Sequence, residues 1–292
     1  MHIWLVILQT ILIFAVAFVA LCRNVRYEQI ELPNKLFTNI NKFFYTMGCF
    51  LTNSSVGKKL VMSISGCFLV LFILFHMSMN LTMIFSREGY NLICEFLGAN
   101  WYALAGTALL AAGVLVHFVY AFILTVDNYR ARGKQRYAVT VQEKGVAWSS
   151  KNMLVLGIIV ILGLGLHLVH FWSKMQLVEI IHSEVAVEMF NGAEASIHPA
   201  NGALLMAFTF SKWYNVVIYL VWFAALWFHL THGVWSMFQT VGFANDTWYP
   251  RLKCLANIVA TLIFLGFAVV AVLCYLKSGE FIAEMIHWTP EL

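Results

Sequence analysis

Residues 60–85 read LVMSISGCFLVLFILFHMSMNLTMIF, a stretch of 26 residues without a charged side chain. A helix that spans a bilayer needs about 20 predominantly apolar residues, and this stretch is longer than that. Its one histidine, His76, lies well inside the apolar run. Because lipid solvates an ionisable group poorly, a histidine at such a position indicates a functional site.

Five further stretches are long and apolar enough to span or nearly span a membrane. They cover residues 2–22, 101–126, 152–172, 213–240 and 255–276. They are too long for strands and do not alternate as membrane β-barrel strands do. Of all residues 61% are hydrophobic and 11% charged, against roughly a quarter charged in a soluble domain. We predict an all-α fold, a polytopic transmembrane helical bundle of five core helices, to which residues 2–22 could add an N-terminal helix.

The distribution of Lys and Arg predicts the orientation. The 127–151 connection carries six basic residues against two acidic ones, whereas the 173–212 connection carries four Glu and two Lys. Short cytoplasmic loops are enriched in Lys and Arg. We therefore expect 127–151, 241–254 and 42–59 to face the cytoplasm and the C-terminus to face outward.

The first apolar stretch, residues 2–22, has neither the basic start nor the small-residue cleavage site of a signal peptide. Two arginines follow it and would make it an anchor whose N-terminus faces outward. Alternatively, translation begins at Met47, shortly before the core helices. We divide the chain into an N-terminal extension, residues 1–46, and a five-helix diheme domain, residues 47–292.

The six cysteines argue against two kinds of redox centre. They lie far apart, and none forms a C-x-x-C or C-x-x-C-H motif. Iron–sulfur ligation and covalently attached haem are therefore not expected. The net charge of +4 gives no indication of nucleic acid as a partner.

Four histidines lie deep inside the apolar stretches, and their depths sort them into two pairs. At a rise of 1.5 Å per residue, His76 and His167 share an outer layer, and His117 and His229 share an inner layer roughly 12 Å away. Each layer supplies two imidazoles from different helices, as bis-histidine ligation of haem iron requires. Two such haems would form an electron path across the bilayer.

Other roles for these histidines remain open. A single intramembrane histidine is often an interhelical hydrogen-bond partner. His170, one turn after His167, and His232, three residues after His229, compete for the ligand role but lie nearer the membrane surface. For His170 and His232 we therefore expect contacts with haem propionates or with the ligand histidines. An ion channel would normally add intramembrane Asp or Glu, and the five predicted core helices contain none.

Five segments carry a resemblance to a known family. They are SSVGKK (54–59), FHMSMN (75–80), VHFVYA (116–121), GIIVILGLGLH (157–167) and FHLTHGVWS (228–236). Together they resemble the diheme cytochrome b membrane anchor of succinate:quinone oxidoreductases, which are the succinate dehydrogenases and quinol:fumarate reductases. The resemblance covers about residues 54–277 and rests on the order and spacing of the histidine motifs.

The resemblance implies two haem b groups, one held by His76 and His167 and the other by His117 and His229. It implies a flavoprotein subunit and an iron–sulfur subunit on the cytoplasmic face of a bacterial inner membrane. Electrons would pass between their clusters, the inner haem, the outer haem and a quinone. The chain would then be the quinone-reactive subunit of an enzyme whose succinate or fumarate chemistry takes place in the flavoprotein.

In some members of this family menaquinol is oxidised near the outer haem, and a carboxylate accepts the proton. Glu95 and Glu88, in the predicted outward loop after the His76 helix, are the candidates here, and menaquinone is the expected quinone. Either residue could instead be a solvated loop charge. The 1–46 extension and the acidic 173–212 connection depart from the family pattern, and we expect an interfacial helix around 176–190.

Two alternative functions fit the same composition. A cytochrome b subunit of another membrane oxidoreductase, of the hydrogenase or formate dehydrogenase type, also ligates two haems within a helical bundle. Such subunits commonly use a different histidine spacing. A haem-free transporter or membrane scaffold would instead show no α-band in a reduced-minus-oxidised spectrum.

Overall fold

The computed structural model describes residues 50–132, 148–243 and 245–290, and the chain divides into two compact units. The first unit comprises the described residues up to Leu69 with 110–132 and 236–243. The second comprises 70–109, 148–235 and 245–290.

Within the described residues the fold is almost wholly helical. The helices are α1 (Ser55–Phe85), α2 (Arg87–Phe96), α3 (Trp101–Arg132), α4 (Trp148–Lys151), α5 (Met153–His170), α6 (Gln176–Ile181), α7 (Gly202–Phe210), α8 (Trp213–Thr240), α9 (Trp248–Leu276) and α10 (Ser278–Met285). A 3-10 turn, Trp172–Lys174, follows α5. Two strands, β1 (Ala186–Phe190) and β2 (Ala193–Ile197), pair antiparallel.

Five of these helices are long and apolar enough to cross a membrane, namely α1, α3, α5 with its 3-10 continuation, α8 and α9. They confirm the predicted all-α polytopic bundle and its five core helices. The largest difference is at α9, which begins at Trp248 and not at residue 255. Pro250 is compatible with that start because the first turn of a helix tolerates proline.

In the first unit, α1 and α3 pack through an ion pair and a close approach. Lys58 Nζ lies 2.6 Å from Asp127 Oδ2. Farther along, a Cβ atom at Gly113 would lie 2.7 Å from the Phe68 ring. The glycine therefore lets the aromatic ring press against the α3 backbone, as small residues do between membrane helices.

In the second unit, two indole groups join the long helices. Trp222 Nε1 of α8 donates a hydrogen bond to Val160 O of α5 at 3.0 Å. Trp227 Nε1 of α8 donates to Thr261 Oγ1 of α9, also at 3.0 Å. A buried indole N–H normally finds an acceptor, and hydrocarbon offers none. These two bonds therefore help to fix how α5 and α9 pack against α8.

Two buried asparagines tie α2, α7 and α10 together in the second unit. Asn91 Nδ2 donates to Asn201 Oδ1 at 3.0 Å, and Asn91 Oδ1 accepts from Ala203 N at 2.9 Å. Asn201 Nδ2 donates to Met285 O at 2.9 Å, and Asn201 Oδ1 caps α7 by accepting from Leu204 N. The two side chains are 0% and 2% exposed. A buried polar network with its hydrogen bonds made favours one arrangement of the elements that carry it.

The 173–212 connection differs from the predicted interfacial helix over 176–190. Helix α6 ends at Ile181, because His182 adopts a left-handed backbone conformation with φ of 48°. The chain then forms the β1–β2 hairpin, with Asn191 and Gly192 at its turn, both at positive φ. Asn-Gly is the pair that a two-residue hairpin turn favours. The helix prediction is therefore wrong beyond Ile181.

Several predictions lie outside the described residues. They concern the apolar stretch 2–22, the alternative start at Met47 and residues 133–147 of the basic connection. The domain boundary after residue 46 and the orientation in the membrane stay predictions.

Replacing Asn91 tests the asparagine cluster. Asn91→Leu removes the hydrogen-bond acceptor of Ala203 N and one donor to Asn201 Oδ1, and both atoms are buried. A buried polar group that loses its partner costs about 1–3 kcal/mol, so we expect a lower Tm of the purified protein in detergent. Asn100→Leu is the control, because Asn100 is exposed and its amide donates a hydrogen bond only locally, to Phe96 O four residues earlier. Equal Tm values for the two variants would show that the cluster does not hold these helices together.

Candidate functional site

In the second unit, α1 and α5 bring His76 and His167 together. Their ring centroids lie 5.8 Å apart, and the ring planes are at 84° to each other. Two imidazole nitrogens that bind one metal ion from opposite sides at about 2 Å each place the ring centroids roughly 6 Å apart. The observed spacing is close to that value, and it is also the spacing of an ordinary edge-to-face ring contact.

Aromatic side chains surround this pair of rings. Phe72 stacks on His76 with centroids 5.5 Å apart, and Phe267 of α9 lies 5.9 Å from the same ring. Trp222 and Phe171 lie 5.9 Å and 5.1 Å from the His167 ring. These four aromatic rings cover much of the two imidazoles. Phe72 and Phe171 lie four residues from the histidine they contact, so helical spacing could have identified them.

A polar chain leads from His76 to α2. Asn80 Nδ2 lies 3.4 Å from His76 Nε2 and donates to His76 O at 2.8 Å. Asn80 Oδ1 accepts from Tyr90 Oη at 3.4 Å. Burial is the main cause that raises the pKa of Tyr90 well above its ordinary value, so this hydroxyl keeps its proton and remains a donor. Asn80 was not predicted as a site residue, although it lies one helical turn after His76.

The two candidate proton acceptors lie on the same helix, α2. Glu88 is exposed in its first turn, and Glu95 is half-buried near its end. Among the described residues neither carboxylate has a hydrogen-bond or ion-pair partner. The structure thus distinguishes the two by burial and places both on the helix that the polar chain from His76 reaches.

In the first unit, α1 presents a hydroxyl group and a glycine to His117. Ser65 Oγ lies 3.1 Å from His117 Nδ1. A Cβ atom at Gly66 would lie 3.3 Å from His117 Cε1, so the ring packs closely on the α1 backbone. A hydrogen bond at one ring nitrogen orients the imidazole and determines which nitrogen can bind a metal.

His229 lies in the second unit, where Gly157 faces it. A Cβ atom at Gly157 would meet His229 Cε1 at 3.9 Å, an ordinary contact. His117 and His229 each follow the first tryptophan of their helix by 16 residues (117 − 101 and 229 − 213), or about 24 Å along the axis. The two residues belong to different compact units, and their pairing stays a prediction.

The two competing histidines have other neighbours. His170 Nδ1 lies 3.2 Å from Tyr219 Oη, and the two rings stack at 5.8 Å. His232 packs edge-on against Trp235 at 5.2 Å. The ring that approaches His76 is that of His167, which favours His167 over His170 as a ligand.

No protein-family model, curated protein or solved structure matches the chain. The resemblance to diheme anchors therefore rests on the segments quoted above. In the part of the chain that the structure describes, no group of three or more His, Cys, Asp or Glu side chains could hold a metal ion. A bis-histidine haem site needs two such side chains, because the porphyrin supplies the other ligands of the iron.

Two glycines of α5 provide a matched test of the packing at His167. A Cβ atom at Gly163 would collide with the Trp222 ring, whereas one at Gly165 would meet no atom within 4 Å among the described residues. Overpacking of this kind costs about 1–3 kcal/mol, so we expect Gly163→Ala to lower the Tm. Gly165→Ala should leave the Tm equal or raise it, since alanine favours helix. A harmless Gly163→Ala, or an equally harmful Gly165→Ala, would contradict this packing.

Proposed function

We propose that the chain is the diheme cytochrome b membrane anchor of a succinate:quinone oxidoreductase. The observation that carries the proposal is the approach of His76 and His167, on two different spans, to 5.8 Å between ring centroids. Two imidazoles from facing membrane helices are a donor set that haem iron takes. The ring centroids of an edge-to-face contact without a metal lie at similar distances. The tests below therefore measure haem binding directly.

In this proposal His76 and His167 hold the outer haem, and His117 and His229 hold the inner haem. Bound there, haem would supply one-electron transfer, and two histidines at each iron would leave no position for O₂. Ser65 contacts His117 at Nδ1, which would leave Nε2 for the iron. Asn80 contacts His76 at Nε2, which would leave Nδ1. The aromatic rings around the outer pair would help to set the redox potential.

The quinone site is proposed at the end of α1 that is followed by α2. Oxidation of a quinol releases protons, which need a base close to the ring. Glu95 is the preferred acceptor because it is half-buried, and Glu88 is the second candidate because it is exposed. The Tyr90–Asn80 chain connects this helix with His76, and menaquinol is the proposed substrate.

The partners in this proposal are a flavoprotein and an iron–sulfur subunit on the cytoplasmic face of a bacterial inner membrane. The basic connections support that side, since Lys and Arg favour cytoplasmic loops. Succinate oxidation or fumarate reduction would take place in the flavoprotein. The anchor carries electrons between that enzyme and the quinone pool.

Purification in mild detergent tests the proposal as a whole. We expect two haem b groups per chain and co-purification of a flavoprotein with an iron–sulfur protein. Co-purifying hydrogenase or formate dehydrogenase subunits would replace the proposal with the alternative oxidoreductase. A preparation without an α-band would contradict haem binding and favour a transporter or scaffold.

Single substitutions test each ligand. We expect His76→Gln or His167→Gln to remove the outer haem and His117→Gln or His229→Gln to remove the inner one, because each iron loses an axial nitrogen. Haem content and the α-band are the measurements. His170→Gln is the control, since His170 faces Tyr219 and should keep both haems. Two haems per chain in all four ligand variants would overturn the assignment.

Replacing Glu95 tests the proton acceptor. Glu95→Gln keeps the shape of the side chain but removes the base, so we expect quinol oxidation by the intact complex to fall about 10²-fold or more. Both haems should remain, because Glu95 is not a ligand. Glu88→Gln is the control and should retain most of the activity. Full activity of the Glu95 variant would exclude it as the acceptor.

A further inference from the structure

A surface groove follows α9 in the second unit. Its first section includes polar side chains, and its second section is apolar. Its first section is lined by Lys253, Cys254, Asn257, Thr261 and Leu262. Its second section is lined by Leu74, Met77, Leu81, Leu262, Leu265, Gly266 and Val269. Leu262 lines both sections, so the two lie next to each other along α9. From Lys253 to Val269 it extends 16 residues, roughly 24 Å.

The first section lies at a belt of basic and aromatic side chains. Lys253 Nζ lies 4.2 Å from the centre of the Tyr249 ring and 5.4 Å from that of Trp235. The Arg251 guanidinium lies over the Trp248 ring at 5.4 Å. Within the described ranges no carboxylate pairs with either cation. Aromatic belts and snorkelling cations mark the level of lipid headgroups.

One helical turn deeper, the groove exposes an amide without a partner. Asn257 is exposed, and its side chain has no hydrogen-bond partner in the described part of the chain. Thr261, a further turn along, accepts the Trp227 indole N–H. An unsatisfied polar group on the lipid-facing side of a span is costly. Asn257 therefore points to a polar group that a bound molecule supplies.

The second section suits a hydrocarbon chain better than a second helix. Its lining consists of large apolar side chains, such as Leu265 and Val269. Helices that pack together in membranes present small residues instead. Gly266, the one small residue of this section, is covered, because a Cβ atom there would lie 2.5 Å from Met77 Sδ.

We propose that this groove binds an anionic phospholipid. The phosphate headgroup contacts the Lys253 ammonium and the Asn257 amide, and one acyl chain lies along Leu262, Leu265 and Val269. Charge favours this occupant over a quinone, since an uncharged ring leaves the ammonium without a counterion. Basic pockets at the cytoplasmic side of membrane helices bind anionic headgroups, which agrees with the orientation predicted for 241–254. The site is independent of the haems.

Cys254 provides a reporter, since it is exposed and lines the groove. The full-length protein is placed in nanodiscs of phosphatidylcholine alone or with phosphatidylglycerol, and alkylation of each cysteine by N-ethylmaleimide is followed by mass spectrometry. We expect phosphatidylglycerol to slow the alkylation of Cys254 about fivefold, the effect of one basic residue near an anionic lipid. Cys67, half-buried in the first unit, is the internal reference and should be unaffected.

Variants identify the groups that bind the headgroup. Lys253→Gln and Asn257→Leu should each abolish most of the protection by phosphatidylglycerol. Lys277→Gln is the matched control, because Lys277 follows the other end of α9 and pairs with Glu280 at the surface. Both sets of measurements follow the alkylation of Cys254, so their outcome does not depend on whether the protein binds haem.

Three outcomes would overturn the proposal. Equal alkylation of Cys254 in the two lipids would mean that no anionic headgroup binds there. Protection by an uncharged quinone analogue in phosphatidylcholine, without protection by phosphatidylglycerol, would make the groove a quinone site. A Cys254–Cys254 cross-link under mild oxidation in both lipids would make it a contact between two copies of the chain.

Discussion

Two imidazole rings, those of His76 and His167, meet between two long apolar helices of the second unit, and side chains of α8 and α9 contact them. Hydrocarbon does not solvate imidazole, so each ring depends on partners within the protein. α1 and α5 supply these partners only where the two helices lie close together. Trp222 of α8 holds α5 in place, because it contacts His167, donates to Val160 O and fits against Gly163. The packing of three spans and the proposed haem site therefore share the same contacts.

Buried polar groups need hydrogen-bond partners, and this requirement also explains how the shorter helices are held together. Asn91 and Asn201 hold α2, α7 and α10 with hydrogen bonds that no water has to supply. The Asn80–Tyr90 contact extends this polar region to His76. Asn257 of α9 is exposed and has no partner in the described residues. Its amide is one of the two groups that the proposed lipid headgroup contacts in the α9 groove.

The spans could be predicted from the sequence because length and hydropathy are local properties, as residues 60–85 and the observed α1 show. The shared depth of His76 and His167 followed from the rise of a helix, and the structure brings these two together. The β1–β2 hairpin was missed although Asn191-Gly192 carried its signal, because an interfacial helix around 176–190 was expected in its place. α7 was missed because nine residues are too few for a span. Phe267 could not be found, since no local pattern links it to His76, 191 residues earlier (267 − 76).

Carbon monoxide binding shows whether two histidines ligate each haem. The purified, dithionite-reduced protein is examined by absorption spectroscopy before and after carbon monoxide is added. Iron held by two histidines would offer no open position, so we expect a b-type α-band that carbon monoxide leaves unchanged. A spectrum without an α-band, or an α-band that carbon monoxide shifts or removes, would overturn bis-histidine ligation.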